Sequence, residues 1–506
     1  MIAKIIRRLE VATAFRSFWE RNPALFLGLS LLLGTAFAFY TYWPFVLLFA
    51  ILCISMPHRR MIVIALLCFS SAYFLTGLRN PKVILPDTVS GKGVFHIEQV
   101  KVHASPFHRS LLYKGTLTQF ESSDGKQLRD LPCHIYLPLF GKHPPAVTDY
   151  EISGRLLQKG EHAFLFKPDK KSLWTPHPTL FNLSEWRFQA KQKVARYLKK
   201  ELNDLHVRTF MTALATGEID ERILSMEFGK VGLQHILAIS GFHFALAALF
   251  LNFLLRLIMP HRASAAMLII ALTFYYLFLG NAPSIQRAYI AIVLVALGSL
   301  LSRNISGLNA LGAGLIVELL IDPLVVIQLS FQLTFLCTLS ILLFYPAMYR
   351  ILNFLLPERS FKQVSSMNIL DKHGYILSSF LRKALALNLA VHLISLPVLL
   401  HLFHKFPLLS IAYNLFFPAC VCISMLLLFS ALLFAPLLPF ISHLVHSLNN
   451  AWTSSLMTFT SNPPAYLDFA IRSHAISFSV VIGFLALSFF AGVIFCEKIK
   501  NEQNAF

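Results

Sequence analysis

Charge-poor apolar runs about as long as a bilayer is thick recur near both ends of this chain, and they leave few folds open to it. A helix needs roughly 20 apolar residues to cross a membrane. Runs of that order lie at 24–40, 61–78, 234–258, 264–280, 286–301, 305–321, 324–345, 384–402, 407–434 and 476–496, with a shorter one at 45–56. Residues 437–470 are amphipathic, are broken by Pro463-Pro464, and read as a span or a re-entrant segment. With 56% hydrophobic and only 14% charged residues, the composition excludes one large soluble enzyme. The expectation is a polytopic α-helical membrane protein with about eleven or twelve spans.

Charge orients the spans. Lys plus Arg number 44 against 25 Asp plus Glu, a net +19. The basic segments are an N-terminal tail with Lys4, Arg7, Arg8, Arg16 and Arg21, the Arg59-Arg60 loop, the His261-Arg262 loop, the turn at Arg303 and the long 346–383 loop. Alternating spans put all of them on one side, which the positive-inside rule makes cytoplasmic. The tail is too long and lacks the small-residue cleavage site of a signal peptide. The chain after Leu78 then emerges outside.

Residues 79–227 are different material: 22 basic against 16 acidic residues and no span-length apolar run. Strand-like alternation appears at 93–98, 111–120, 133–137 and 150–157, with the turn signal Asp124-Gly125 between two of the runs. About five short strands suggest a small β-barrel inserted outside the membrane, an OB-type barrel being the natural candidate. Phe188 to Leu205 reads as a basic amphipathic helix carrying Lys191, Lys193, Arg196, Lys199 and Lys200. Its basic face suits either a solvated or membrane-surface position or contact with nucleic acid. The expected division is 1–78 membrane helices, 79–175 outer barrel, 176–227 basic linker helix region, and 228–506 the main membrane domain. Only Cys133 of the seven cysteines falls in a polar segment, so the outer domain holds no internal disulfide.

The densest candidate site is Gln234-His235-Ile236-Leu237-Ala238-Ile239-Ser240-Gly241-Phe242-His243. On one continuous helix His235, His243 and Ser240 would fall at about 0°, 80° and 140° and share an arc facing protein or water. Gly241 would allow close approach or a local break. Further polar stripes are Gln328 and Gln332 with Thr334 and Thr338, then Asn388, His392 and Ser395; Arg287 opens one span and Asn414 sits in another. Each alone fits helix–helix bonding, but together they suggest helices turning polar faces to a common hydrated interior. Ser240 with His243 or His392 could imitate an intramembrane serine hydrolase, yet the Gly-x-Ser-Gly order is absent. No HExxH and no P-loop pattern occurs, so neither catalytic residues, metal ligands nor a cofactor site are expected.

Gly232 to His243 resembles the His-Leu-Leu-Ala-Val-Ser-Gly-Leu-His signature of the ComEC competence family, membrane channels for DNA uptake. Pro283-Ser284-Ile285-Gln286-Arg287-Ala288 resembles its second motif. Asp322-Pro323 with Leu329 to Phe335 resembles the third, with Thr334 where Ser is usual, and Leu396-Pro397 through His404, Phe406 and Asn414 to Pro418 resembles the fourth. The resemblance implies an inner-membrane channel in a bacterium, passing single-stranded DNA inward past His235, Ser240, Gly241, His243, Arg287, Gln332, Asn388, His392 and Asn414. It also implies an OB-like domain before the channel. Many members end in a metallo-β-lactamase-like domain thought to be a nuclease; no HxHxDH occurs here, so the expected partners include a separate nuclease. A separate DNA receptor, a cytoplasmic DNA-translocating ATPase and membrane lipid complete them. The alternative is a transporter of another anionic solute through the same interior.

Overall fold

Apolar helices without charged residues cannot sit singly in water, and the way these pack shows what layer they occupy. The computed structural model describes residues 13–79, 88–104, 109–139, 143–160, 163–169, 172–177, 182–219, 222–237, 239–461, 470–474 and 476–504. Pro463-Pro464, Phe107 and the first cations of the tail lie outside the described residues. Among the described residues nine helices are long and apolar enough to cross a membrane, and two shorter apolar ones accompany them. The protein is a multi-pass, mostly helical membrane protein.

Helices α1 (Pro23–Tyr40), α2 (Trp43–Ser55) and α3 (Arg59–Arg79) come first. After the sheet region and four further helices follow α8 (Gly241–Ile258), α9 (His261–Leu279), α10 (Pro283–Leu300) and α11 (Gly307–Ile321). Then come α12 (Leu329–Leu355), the short α13 (Phe361–Ser365) and α14 (Ile369–Phe403). The last are α15 (Leu409–Phe434), α16 (Pro439–Ser461) and α17 (Phe478–Asn504). Strand β7 (Lys405–Pro407) pairs antiparallel with β8 (Ala470–Arg472).

Lipid gives helices no hydrophobic reason to associate, so close packing must hold them. Helix α1 shows how. A Cβ on Gly312 of α11 would collide with the backbone of Ala24 and Leu25, and one on Gly34 with the Phe69 carbonyl of α3. Asn309 fixes the same crossing, accepting from the Ala24 amide (3.1 Å) and donating to the Arg21 carbonyl (2.7 Å).

Two span assignments are corrected. Residues 234–258 are not one helix: the four-residue α7 (Gln234–Leu237) is followed by a break, and α8 starts at Gly241. The reason is local, since Ser240 is extended (φ −94°, ψ 168°) and caps the new helix. The 324–345 span begins instead with a 3-10 turn, Pro323–Ile327, whose first amide is taken by Asp322 (2.9 Å to Leu324 N).

The sheet region comprises β1 (Val89–Ala104), β2 (Arg109–Ser122), β3 (Gln127–Pro138), β4 (Asp149–Gly160), β5 (Ala163–Pro168) and β6 (Thr175–His177). Pairing runs β1–β2–β3–β5–β4 and returns from β4 to β1, with β3–β5 parallel and β6 added on β4. Asp124-Gly125 forms the β2–β3 turn, and Gly125 takes the positive φ of 79° that it requires. Phe95, Tyr113 and Phe120, three aromatics of this segment, are interior residues of this sheet. Alternation buries them, so they cannot face a ligand.

The basic helix is α4 (Ser184–Glu201). It is followed by α5 (Leu205–Thr216) and α6 (Arg222–Lys230). Leu198 to Leu237 share one core with Tyr413, Phe417, Val421, Met425 and Leu428 of α15. This part of the chain therefore packs against membrane helices.

Filling Gly312 should cost more than filling a glycine with space around it. We expect Gly312→Ala to destabilise the detergent-purified protein by roughly 1–3 kcal/mol, as overpacking does. Gly374→Ala, with nothing within 4 Å of the added carbon, should leave the thermal midpoint unchanged or slightly raised.

Candidate functional site

The break before Gly241 divides the polar residues of the first motif between two settings. His235 lies before it and is exposed although Ile236 and Leu237 beside it are buried. It bonds the Gly232 carbonyl and is near enough to His392 to feel its charge. Gly232 has φ +73°, and a Cβ there would press on Pro407 and Ser410. Only glycine fits that bend against α15.

His392 Nδ1 donates to the Asn388 carbonyl (2.8 Å), which leaves Nε2 as the free, accepting nitrogen. Its ring packs edge-on to Phe406 at 5.4 Å. Asn388 donates to the Ile411 carbonyl (2.6 Å) while its Oδ1 is buried without a partner. The structure thus brings His235, Asn388 and His392 together at the α7–α14–α15 meeting point.

Beyond the break lies a second cluster. Ser240 N donates to His243 Nδ1 (3.2 Å), and the Ser240 hydroxyl stands 3.4 Å from the same nitrogen. His243 is buried. This is a helix cap, with the imidazole accepting from the chain that precedes α8. A 3.4 Å contact is longer than a nucleophile–base hydrogen bond. Ser284 Oγ holds the break by donating to the Ile239 carbonyl (3.2 Å).

Gly241 matters through what it lets approach: a Cβ there would strike the guanidinium of Arg287. Arg287 donates to Thr338 Oγ1 of α12 and lies across Gly314 of α11. Its Nε is buried without a partner. Glu318 of α11 attracts it. Glu318 is 1% exposed, and neither carboxylate oxygen has a hydrogen bond. A buried carboxylate in that state depends on a nearby cation.

Gln332 and Asn414 sit apart from both clusters. Gln332 Nε2 donates to the Val326 carbonyl (2.8 Å) and so ties the 3-10 turn to α12. Asn414 is half-buried on α15.

Sequence reasoning passed over two features. Glu318 is the lone acid in the otherwise uncharged 307–321 run, and that isolation was its signal. The other is the buried stripe Ser442, His446, Asn449, Thr453 and Thr460 on α16, legible as polar residues three, four or seven apart. It bonds α16 to α15: Ser442 Oγ to the Ala431 carbonyl (2.8 Å), Asn449 Nδ2 to the Ser424 carbonyl (3.1 Å), Trp452 Nε1 to the Cys420 carbonyl (3.2 Å). Phe440, Leu444 and Leu448 occupy its exposed side. Within the 437–470 segment, Pro439–Ser461 is therefore a helix beside α15, polar inside and apolar outside.

The sheet meets the helices through β1, whose Glu98 carbonyl accepts from Ser184 Oγ of α4 (2.6 Å). Lys101, Lys114, His134 and Tyr136 lie off the interior side of β1, β2 and β3, Lys101 opposite Leu112 and Leu112 opposite Tyr136. Tyr136 is 40% exposed, with His103 against its ring at 5.4 Å. Burial, with Lys114, Lys191 and Arg187 nearby, pushes the Lys101 amine down to about 8. Lys191, expected on the solvated face of the basic helix, is instead buried. It donates to the Leu279 carbonyl (2.9 Å) and pairs with Glu218 at 3.3 Å. The open carbonyls at the end of α9 attract a cation there.

Breaking the Arg287–Glu318 attraction should cost about 1–3 kcal/mol in Arg287→Gln, because the buried carboxyl loses its nearby cation. Glu318→Gln together with Arg287→Gln should recover most of that loss. A double-mutant cycle on the reconstituted protein's unfolding reads the coupling; a coupling of zero would mean the two side chains do not interact.

The family profile described as Competence protein matches residues 215–498, more than half of the chain. ComE operon protein 3 of Bacillus subtilis (strain 168) is 28% identical over 218 residues, covering 41% of this chain and 24% of that protein. The match thus spans about a quarter of that relative's length. No solved structure matches the chain. The chain belongs to the competence protein family, the family that its four ordered motifs resemble.

Proposed function

We propose that this chain is the cytoplasmic-membrane channel that carries transforming DNA, as a single strand, into a competent bacterium. The observation that carries the reading is His235, an exposed imidazole beside a helix break, grouped with His392 and Asn388 inside a bundle of apolar helices. A polar side chain in that layer must meet protein or water, and exposure leaves water. A strand with one charge per phosphate needs such a hydrated route, with few fixed cations so that it is released again. Histidine supplies an adjustable cation there because its ordinary pKa is about 6.5.

The sheet region, read as an OB-type barrel from its returning strand pairings, lies outside the membrane and gathers the strand. Lys101, Lys114 and His134 offer charge, and Tyr136 a stacking surface. A DNA receptor delivers the strand, a nuclease on another chain removes its complement, and a cytoplasmic ATPase draws it in. In this scheme residues 79–175 collect, 176–227 connect, and 228–506 conduct.

Natural transformation in a strain carrying His235→Ala tests the proposal. Uptake should fall at least tenfold while the purified variant keeps wild-type thermal stability and DNA binding. Normal uptake at normal protein level would contradict a pathway through His235. His243→Ala should instead lower stability by about 1 kcal/mol, the cost of a lost cap. If the intact protein bound no DNA yet moved a small anion, the anionic-solute transporter would replace this reading.

Lys101 gives the binding a pH signature. In the free protein its amine loses its proton as pH rises through about 8, and a bound phosphate favours the protonated form. Oligonucleotide binding should therefore take up a proton near pH 8 and weaken above it. In Lys101→Arg the affinity should stay level to pH 9; equal slopes in both proteins would remove Lys101 from the contact.

A further inference from the structure

Helix α4 carries a stripe whose depth is fixed by what its two ends touch. The ends of the membrane layer can be told apart from contacts alone. Gly232 packs on Ser410 at the start of α15, and α7 leads from there into α8. Phe250 of α8 meets Phe429 of α15 at 5.9 Å, so these helices descend together. Helix α9 returns from the far end, which puts Leu277 and Leu279 back at the near one. Helix α16 lies antiparallel along α15, Ala431 against Ser442 and Tyr413 against Phe459, so its first turns mark the far end.

Helix α4 touches both ends. Arg187 Nε donates to the Leu277 carbonyl (2.8 Å) and Lys191 Nζ to the Leu279 carbonyl (2.9 Å) at the near end. Tyr197 bonds His446 (3.1 Å) and Ser442 (3.2 Å), and Glu201 meets His443 (2.9 Å), at the far end. From 187 to 201 the axis rises about 21 Å, a large part of a hydrocarbon core roughly 30 Å thick. The helix therefore slants through the membrane layer.

Its packed side holds Ser184, Lys191 and Leu198. The opposite, exposed side holds Trp186, Gln189, Lys193, Arg196 and Lys200, spaced three or four apart as one stripe. Three cations on one face at that depth cannot be left against lipid. They lie about 4.5 and 6 Å apart along the axis, a repeat similar to that of successive phosphates on an extended strand.

We propose that this stripe lines the water-filled route and binds the sugar–phosphate backbone of the strand as it passes from the sheet into the membrane domain. The proposal rests on the DNA-channel reading and names the surface that reading lacked. Arg187, at the head of the helix, also reaches the Glu98 carbonyl of β1 (3.4 Å), so the stripe begins beside the sheet.

The test uses the full chain in lipid nanodiscs, with labelling at the chosen position read by peptide mass. Arg196→Cys should react with a membrane-impermeant thiol reagent, and a thymidine single strand should slow that reaction at least tenfold. Leu448→Cys, on the apolar side of α16, should not react. Absence of reaction at 196 would overturn the proposal. So would a rate that ignores the strand but drops when neutral lipid is exchanged for phosphatidylglycerol, because headgroups would then be the ligand.

The combined Lys193→Gln, Arg196→Gln, Lys200→Gln variant keeps the proposal separate from the function it rests on. It should insert normally and keep the sheet's DNA binding, with a salt slope lower by about 2, at about 0.7 per lost phosphate contact. Uptake should fall at least tenfold. If the unaltered protein neither binds nor takes up DNA, the function reading fails and this proposal with it. If the unaltered protein does both and the triple variant does them equally well, the stripe alone is refuted.

Discussion

Lipid cannot solvate a charge or an unpaired backbone group, and the arrangement of this protein follows from that. Every polar side chain in the apolar layer must find a protein partner or water. Two kinds of polar surface result. The α15–α16 stripe is closed, its serine, threonine, asparagine and tryptophan donors finding acceptors on the neighbouring helix. The surfaces around His235 and along α4 are open, and their exposed cations and imidazole are what one would build to meet an anionic polymer.

The break before α8 serves the same constraint. A continuous helix would satisfy its own backbone, so ending one at Leu237 frees donors and acceptors that must be met locally. Ser240, His243 and Ser284 meet them, the imidazole accepting from Ser240 N and the Ser284 hydroxyl donating to Ile239 O. Gly241 then allows Arg287 to close against the start of α8. The motif's serine, glycine and second histidine thus build the break, while its first histidine stays exposed before it.

Much of this was legible in the sequence, and the remainder has identifiable reasons. Span-length apolar runs give the helices because bilayer thickness sets their length, and the Gly125 turn and strand alternation give the sheet region. The break was hidden because 234–258 is apolar enough to read as one helix, and only the extended Ser240 backbone interrupts it. Periodicity cannot say which of Phe95, Tyr113 and Phe120 face inward, and all three do. Lys191 and its neighbours Lys193 and Arg196 look alike in sequence. Their division into a buried helix-end partner and an open stripe depends on α9, some 80 residues later, offering its carbonyls to one side of α4.

The central claim is that a single strand runs from the sheet face, past His235, and along α4. A cryo-electron microscopy reconstruction of the full chain in nanodiscs with a single-stranded oligonucleotide tests it most directly. The account predicts backbone density that enters beside His235 and His392 and follows Lys193, Arg196 and Lys200 toward the far end of the layer. Strand density confined to the outer sheet, with lipid lying against the α4 cations, would contradict it.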